Sequence, residues 1–198
     1  MNKLFIYVIV MVAMVTAVSA TTLNFVSGDS TTKYSYDYTN WYDSMPTWVY
    51  PSWPAIENAT WVWSSYHVTD EEALDGSGAS FQRVVVLPDC AKNIQASIHI
   101  DADNWFFISL NNDFVGQNWD WTQPQTFDLN MVPGNNILDI SVVNTPLNQG
   151  TWETNPAGLV YSGTVTYDCD EEVPEFGVIA GVAAVIGAIG VFVFSRKH

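Results

Sequence analysis

The chain has 198 residues and a formal net charge of −15, with 21 acidic residues against six basic ones. Every acid lies between Asp29 and Glu175, where Lys33, Arg83 and Lys92 are the only bases, so the body carries about 18 net negative charges. Such a surface excludes nucleic acid and anionic lipid headgroups as partners, because phosphates need Lys and Arg to displace their counterions; cations or a salty medium suit it better.

The N-terminus reads as a secretory signal over residues 1–20. Lys3 is the positive start, Leu4 to Val18 an apolar run, and Val18-Ser19-Ala20 a small-residue exit. The alternative is an uncleaved N-terminal anchor; either way the body is exported. Residues 21–170 are the length of one domain. Within them, Trp41 to Tyr66 holds five tryptophans in an irregular order, and Asn58-Ala59-Thr60 is the one Asn-x-Ser/Thr sequon, which makes Asn58 a candidate glycosylation site.

From residue 81 onward the pattern is short alternating segments divided by turn residues, with no repeat and no helix-length amphipathic period. This predicts an all-β sandwich. Phe81 to Leu87 is a strand ended by Pro88. In Ala96 to Ala102, Ala96, Ile98, Ile100 and Ala102 share one face, which leaves Ser97, His99 and Asp101 for a wet face. Trp105 to Leu110 is apolar on both faces over its first half, so its outer side needs a cover, and the Trp41 to Tyr66 region is the expected one. Asn111-Asn112 is a hairpin turn, since Asn tolerates positive φ. Pro133-Gly134 is a turn into the alternating strand Leu138 to Val142, and Leu159 to Tyr167 is the last strand, with Gly163 as a bulge marker.

Cys90 and Cys169 are the only cysteines, and in an exported domain they are expected to pair; buried free thiols are the alternative. No nucleophile motif, phosphate-cradling loop or His-Glu-x-x-His sequence is present, which points away from an enzyme. His99, Asp101 and Asp103 lie along one strand face, too far apart end to end to share an ion, so no metal site is assigned. Structural calcium on Asp101, Asp103 and Asn104 at the strand end is the cation arrangement the spacing permits. The ligand candidate is the loop Gln117 to Pro124, where Trp119, Asp120 and Trp121 interleave aromatic rings with polar groups. Sugar sites need flat rings for C–H faces and amides or carboxylates for hydroxyls. Trp152, in the later loop 150–157, is expected to complete that site; packing roles for these rings are the competing reading.

Residues 171–176 form an acidic linker, and 177–194 are eighteen uncharged residues, about 27 Å as a helix, enough to span a bilayer. The basic tail 195–198 puts the C-terminus inside and the body outside. Val173-Pro174-Glu175-Phe176-Gly177, followed by the span and basic tail, resembles the PEF-CTERM sorting signals of archaeal surface proteins. That resemblance implies recognition by an archaeosortase-type membrane transpeptidase and processing near Pro174, Glu175 and Phe176.

A second resemblance covers the body. Trp61-Val62-Trp63, Phe81-Gln82-Arg83 with Leu87-Pro88, Asp103-Asn104, Asn111-Asn112, Val115-Gly116, Gly134-Asn135-Asn136-Ile137 and Asn155-Pro156-Ala157-Gly158-Leu159 together resemble the galactose-binding-domain-like jelly roll. It implies a single jelly-roll or β-sandwich ectodomain of a kind often found beside glycoside hydrolases. The functional expectation is a non-enzymatic, membrane-anchored surface protein that displays an acidic β-sandwich; a carbohydrate-binding, lectin-like adhesin and a surface hydrolase are the alternatives.

Overall fold

The computed structural model describes residues 19–68, 78–147 and 150–169. The sorting motif at Pro174, Glu175 and Phe176, the expected span and basic tail, and all but the last two residues of the expected signal lie outside the described residues. Among the described residues there is no helix, and therefore none long and apolar enough to cross a membrane.

The described chain forms twelve strands: β1 (Ser19–Val26), β2 (Lys33–Ser35), β3 (Tyr42–Asp43), β4 (Met45–Pro46), β5 (Val62–Trp63), β6 (Gly78–Leu87), β7 (Lys92–Asp103), β8 (Trp105–Leu110), β9 (Asp113–Asn118), β10 (Gln125–Asp128), β11 (Gly134–Val143) and β12 (Gly158–Cys169). They make two six-stranded antiparallel sheets. The first has the order β10-β7-β12-β5-β4, with β1 also on β12; the second has the order β3-β2-β6-β11-β8-β9. From β6 onward the chain alternates between sheets, with the β8–β9 hairpin as one step, in the manner of a jelly roll. β1 starts at Ser19, and Ser19 and Ala20 pair with Cys169 and Asp168.

Period-two alternation decides which side chains meet between the sheets. Ile98, Ile100 and Ala102 of β7, Phe106, Ile108 and Leu110 of β8, Leu138, Ile140 and Val142 of β11, and Leu159, Tyr161 and Val165 of β12 are buried in one core with Trp63 and Phe81. Tyr161 is fully buried, and its hydroxyl meets Thr32 Oγ1 at 2.8 Å, so its one polar atom is satisfied. Burial pushes this phenol up to about 12. Gly163 does not mark the bulge, which falls between Thr166 and Asp168. The lack of a side chain there serves the core instead, because a Cβ would lie 2.1 Å from the Phe25 ring.

Asn111 and Asn112 have φ of 53° and 71°, so the β8–β9 turn takes positive φ twice without glycine. Asn111 Oδ1 accepts the Ile137 N–H at 2.8 Å, and the Asn111 N–H donates to the Ile137 carbonyl at 2.8 Å. These bonds offset the cost of the left-handed backbone.

Two further sequence expectations are corrected. The Trp41 to Tyr66 region does not cover the outer side of β8: its Trp53 and Trp61 pack on the other sheet, over Val160, and Trp63 enters the core. For the same reason Asp101 is not on a wet face. It is 0% exposed, because the strand face it shares with Val160 lies beneath that aromatic cover.

Cys90 and Cys169 are bonded to each other across 79 residues, and no described cysteine is free. Denatured, unreduced protein is therefore expected to show no titratable thiol, and Cys90→Ala with Cys169→Ala to cost about 4 kcal/mol of stability. Two reactive thiols in the unreduced protein would contradict the pairing.

Candidate functional site

The loop between β9 and β10 sends its two tryptophans to different places. Its shape is set by Asn118, whose Nδ2 donates to the carbonyls of Asp120 (2.8 Å) and Gln123 (3.1 Å) while its Oδ1 accepts the Asp120 N–H at 3.1 Å. Asp120 Oδ1 in turn accepts from the Thr122 hydroxyl at 2.5 Å and the Thr122 N–H at 3.0 Å. The Thr122 hydroxyl, then its N–H, hold the Asp120 carboxyl below its ordinary value.

Trp119 folds back over the outer face of β8. It stacks on Trp105, with ring centroids 4.5 Å apart and planes at 28°, while Phe107 stands edge-on to Trp105 at 5.1 Å and 90°. Trp119 is 60% exposed and Trp105 and Phe107 are half-buried, so the three rings form an aromatic face open to solvent. Polar groups flank it. Phe107 lies between Ser141 of β11 and Gln117 of β9 in the sheet register. Ser141 Oγ meets the Tyr38 hydroxyl at 3.2 Å, and Gln82 Nε2 donates to Asp139 Oδ1 at 2.9 Å on the same face. The sequence signalled this place through the double-sided apolarity of β8 but assigned it the wrong cover.

Trp121 turns the other way, towards Tyr50, at 6.1 Å and 80°, at the edge of the cluster of Trp53, Ile56, Trp61 and Val160. Trp152 is stacked on His67 at 4.1 Å and edge-on to Trp48 at 5.2 Å. Trp48 also stands edge-on to Tyr50 at 6.1 Å, so Trp152 and Trp121 are joined through a run of rings, while Trp119 lies apart from both on β8. Asn58 is exposed in a turn with φ of 61°, which leaves its side chain open to modification.

Beneath the Trp53 and Trp61 cover lie Asp101 and Asp103. Trp53 and Trp61 stack at 4.2 Å, and Gly158 of β12 admits them, since a Cβ there would lie 2.8 Å from Trp61 and 2.9 Å from Trp53. Trp53 Nε1 donates to Asp103 Oδ2 at 2.9 Å, and the Ala102 N–H donates to Asp101 Oδ1 at 2.9 Å. Asp101 Oδ2 and Asp103 Oδ1 are buried with no partner. Asn104 Oδ1 is engaged by the Thr145 N–H at 2.5 Å. Among the described residues no three His, Cys, Asp or Glu side chains are grouped to hold a metal ion.

Burial, then the charges of Asp103 and Asp120, push the Asp101 carboxyl up to about 7; burial pushes Asp103 up to about 6, against the hydrogen bonds of Trp53 and the Asn104 side chain.

No protein family and no curated protein matches the sequence. Among solved structures, the chain is similar to a family 35 carbohydrate binding module from Clostridium thermocellum, at 12% identity and TM-score 0.40, over 72% of this chain and 97% of that one. It is also similar to a CBM35 from Paenibacillus barcinonensis, at 11% identity and TM-score 0.39, over 72% of this chain and 97% of that one. A beta-glucuronidase from glycoside hydrolase family 2 aligns at 16% identity and TM-score 0.46 over 76% of this chain, which spans 18% of that enzyme.

The raised carboxyls give a pH dependence with a definite sign. Between the ordinary 3.8 and about 7, the folded chain holds protons that the unfolded chain has released. The stabilisation from these two groups is complete below pH 3.8 and is lost as pH rises through about 6 and 7. In metal-free buffer the melting temperature is expected to fall between pH 5 and pH 8. Asp101→Asn should flatten that fall and stabilise the protein at pH 8; an unchanged pH profile in the variant would refute the assignment.

Proposed function

We propose that the chain is a non-catalytic carbohydrate-binding module displayed on a cell surface, with the Trp105, Phe107 and Trp119 face as its glycan platform. The observation that carries this reading is the open aromatic face on an outer sheet surface, edged by Ser141, Gln117 and the Gln82–Asp139 pair. Rings of this kind cover the apolar C–H faces of a pyranose, and hydroxyl, amide and carboxylate groups beside them fit its hydroxyls. The charge of −15 favours neutral or amino sugars over uronates, which the surface repels.

The test is a glycan array probed with the purified chain, followed by titration of the retained glycan. Trp119→Ala should weaken binding about tenfold, equivalent to about 1.4 kcal/mol, with the fold retained, and Trp105→Ala should do the same. Retention of no glycan, or affinity unchanged from wild type in both variants, would sink the platform. Turnover of any polysaccharide by the purified chain would replace this reading with that of a surface hydrolase.

Display rests on the sequence of the two ends: an export signal before the domain, and the Pro174-Glu175-Phe176 motif, apolar span and basic tail after it. Processing by an archaeosortase-type transpeptidase follows from that motif. Mass spectrometry of protein from its native membrane should find no intact peptide running from Val173 through His198; finding one would leave a plain single-pass anchor.

A further inference from the structure

We infer that Asp101 and Asp103 form a binding site for a hard divalent cation of calcium's kind, enclosed beneath the Trp53–Trp61 cover. The inference starts from two oxygens. Asp101 is 0% exposed and Asp103 5% exposed; Asp101 spends one oxygen on the Ala102 N–H, and Asp103 spends one on Trp53 Nε1, with the Asn104 side chain also acting on its carboxyl. The other oxygen of each, Asp101 Oδ2 and Asp103 Oδ1, has neither a protein partner nor contact with solvent. Buried acceptors in native proteins are almost always paired, and a lone buried carboxylate is among the costliest groups to leave unmatched. Here there are two, on one face of one strand, two residues apart.

Among the described residues, no Lys or Arg acts on either carboxylate. In the two ion pairs described, Arg83 is bound to Asp29 and Lys33 to Asp43. The nearby carboxylate of Asp120 adds negative charge at Asp101 rather than relieving it. A third buried orphan at the same end of the sandwich is also an acceptor: Asn144 Oδ1, on the residue after Val143, whose carbonyl accepts the Asn104 N–H at 3.1 Å. The deficit is therefore one of positive charge facing oxygen ligands only, which selects a hard ion. Calcium suits an enclosed place better than magnesium, because its coordination is irregular and magnesium keeps several of its waters. With two carboxylates rather than three or more, the charge count places the affinity in the range of extracellular calcium modules, about 10⁻⁴–10⁻³ M.

The test uses the purified full-length chain in 150 mM NaCl, a concentration chosen to screen diffuse binding by the acidic surface. Calcium is titrated calorimetrically, and melting temperature is measured with calcium against chelator, in wild type, Asp101→Asn, Asp103→Asn and the exposed control Asp113→Asn at the start of β9. The expected result is one saturable site with a Kd of about 0.1–1 mM. The calcium-dependent rise in melting temperature should vanish in both site variants and persist in Asp113→Asn. A rise that survives in Asp101→Asn and Asp103→Asn would assign calcium to surface acids and overturn the site. Should the site variants fail to fold, the wild type decides: a saturable single site with terbium emission sensitised by tryptophan excitation supports the inference, and the lack of saturation below 10 mM calcium overturns it.

Discussion

The pairing of β7 with β12 is the interaction on which the rest of the molecule depends. The ladder runs from Gly158 opposite Asp103 to Asp168 opposite Lys92, and both strands face the core with Ile98, Ile100, Leu159 and Tyr161. At one end, the next residue of β12 is Cys169, bonded to Cys90 just before β7 begins. At the other, Gly158 and Val160 form the floor on which Trp53 and Trp61 lie, and that floor encloses the two aspartates. One register thus fixes the disulfide, the core and the acid pair together, and a slip of one residue would expose the core face and bury the polar one.

The β9–β10 loop joins this sheet to the other. Asn118 and Asp120 fold it tightly enough that residues two apart leave in different directions, Trp119 to the open aromatic face of β8 and Trp121 to the cover over β7 and β12. The aromatic face and the proposed cation site therefore share a loop without sharing a surface. Asp120, between the two rings, is the one side chain of this loop whose charge reaches Asp101.

Much of the fold was legible because strands with one buried face announce themselves. Ala96 to Ala102 and Leu138 to Val142 alternate as their burial does, and Asn111-Asn112 turns where two adjacent positive-φ residues were expected. The site was less legible. Alternation assigns Asp101 and Asp103 to a wet face correctly for an isolated sheet, and only a segment from far upstream makes that face dry: Trp53 reaches Asp103 across 50 positions. That segment contributes only the two-residue strands β3, β4 and β5, so it has no period to project onto a face. Likewise the need for a cover over Trp105 and Phe107 was visible in β8 itself, but which ring would provide it depended on the local hydrogen bonds of Asn118, which no spacing rule encodes.

The position of the disulfide has a mechanical consequence. Tension applied to the chain beyond Cys169 enters the domain at the end of β12, a strand held between antiparallel neighbours on both edges. Without the bond, that tension would load the ladders lengthwise, in shear, and β12 would resist until many hydrogen bonds failed together. With it, the pull passes at the first residue of the domain through a covalent link to Cys90, at the head of β7. Because Cys169 is itself the last residue of β12, β12 and Cys90 carry that load together, and the last strand cannot be drawn out unless the head of β7 moves with it.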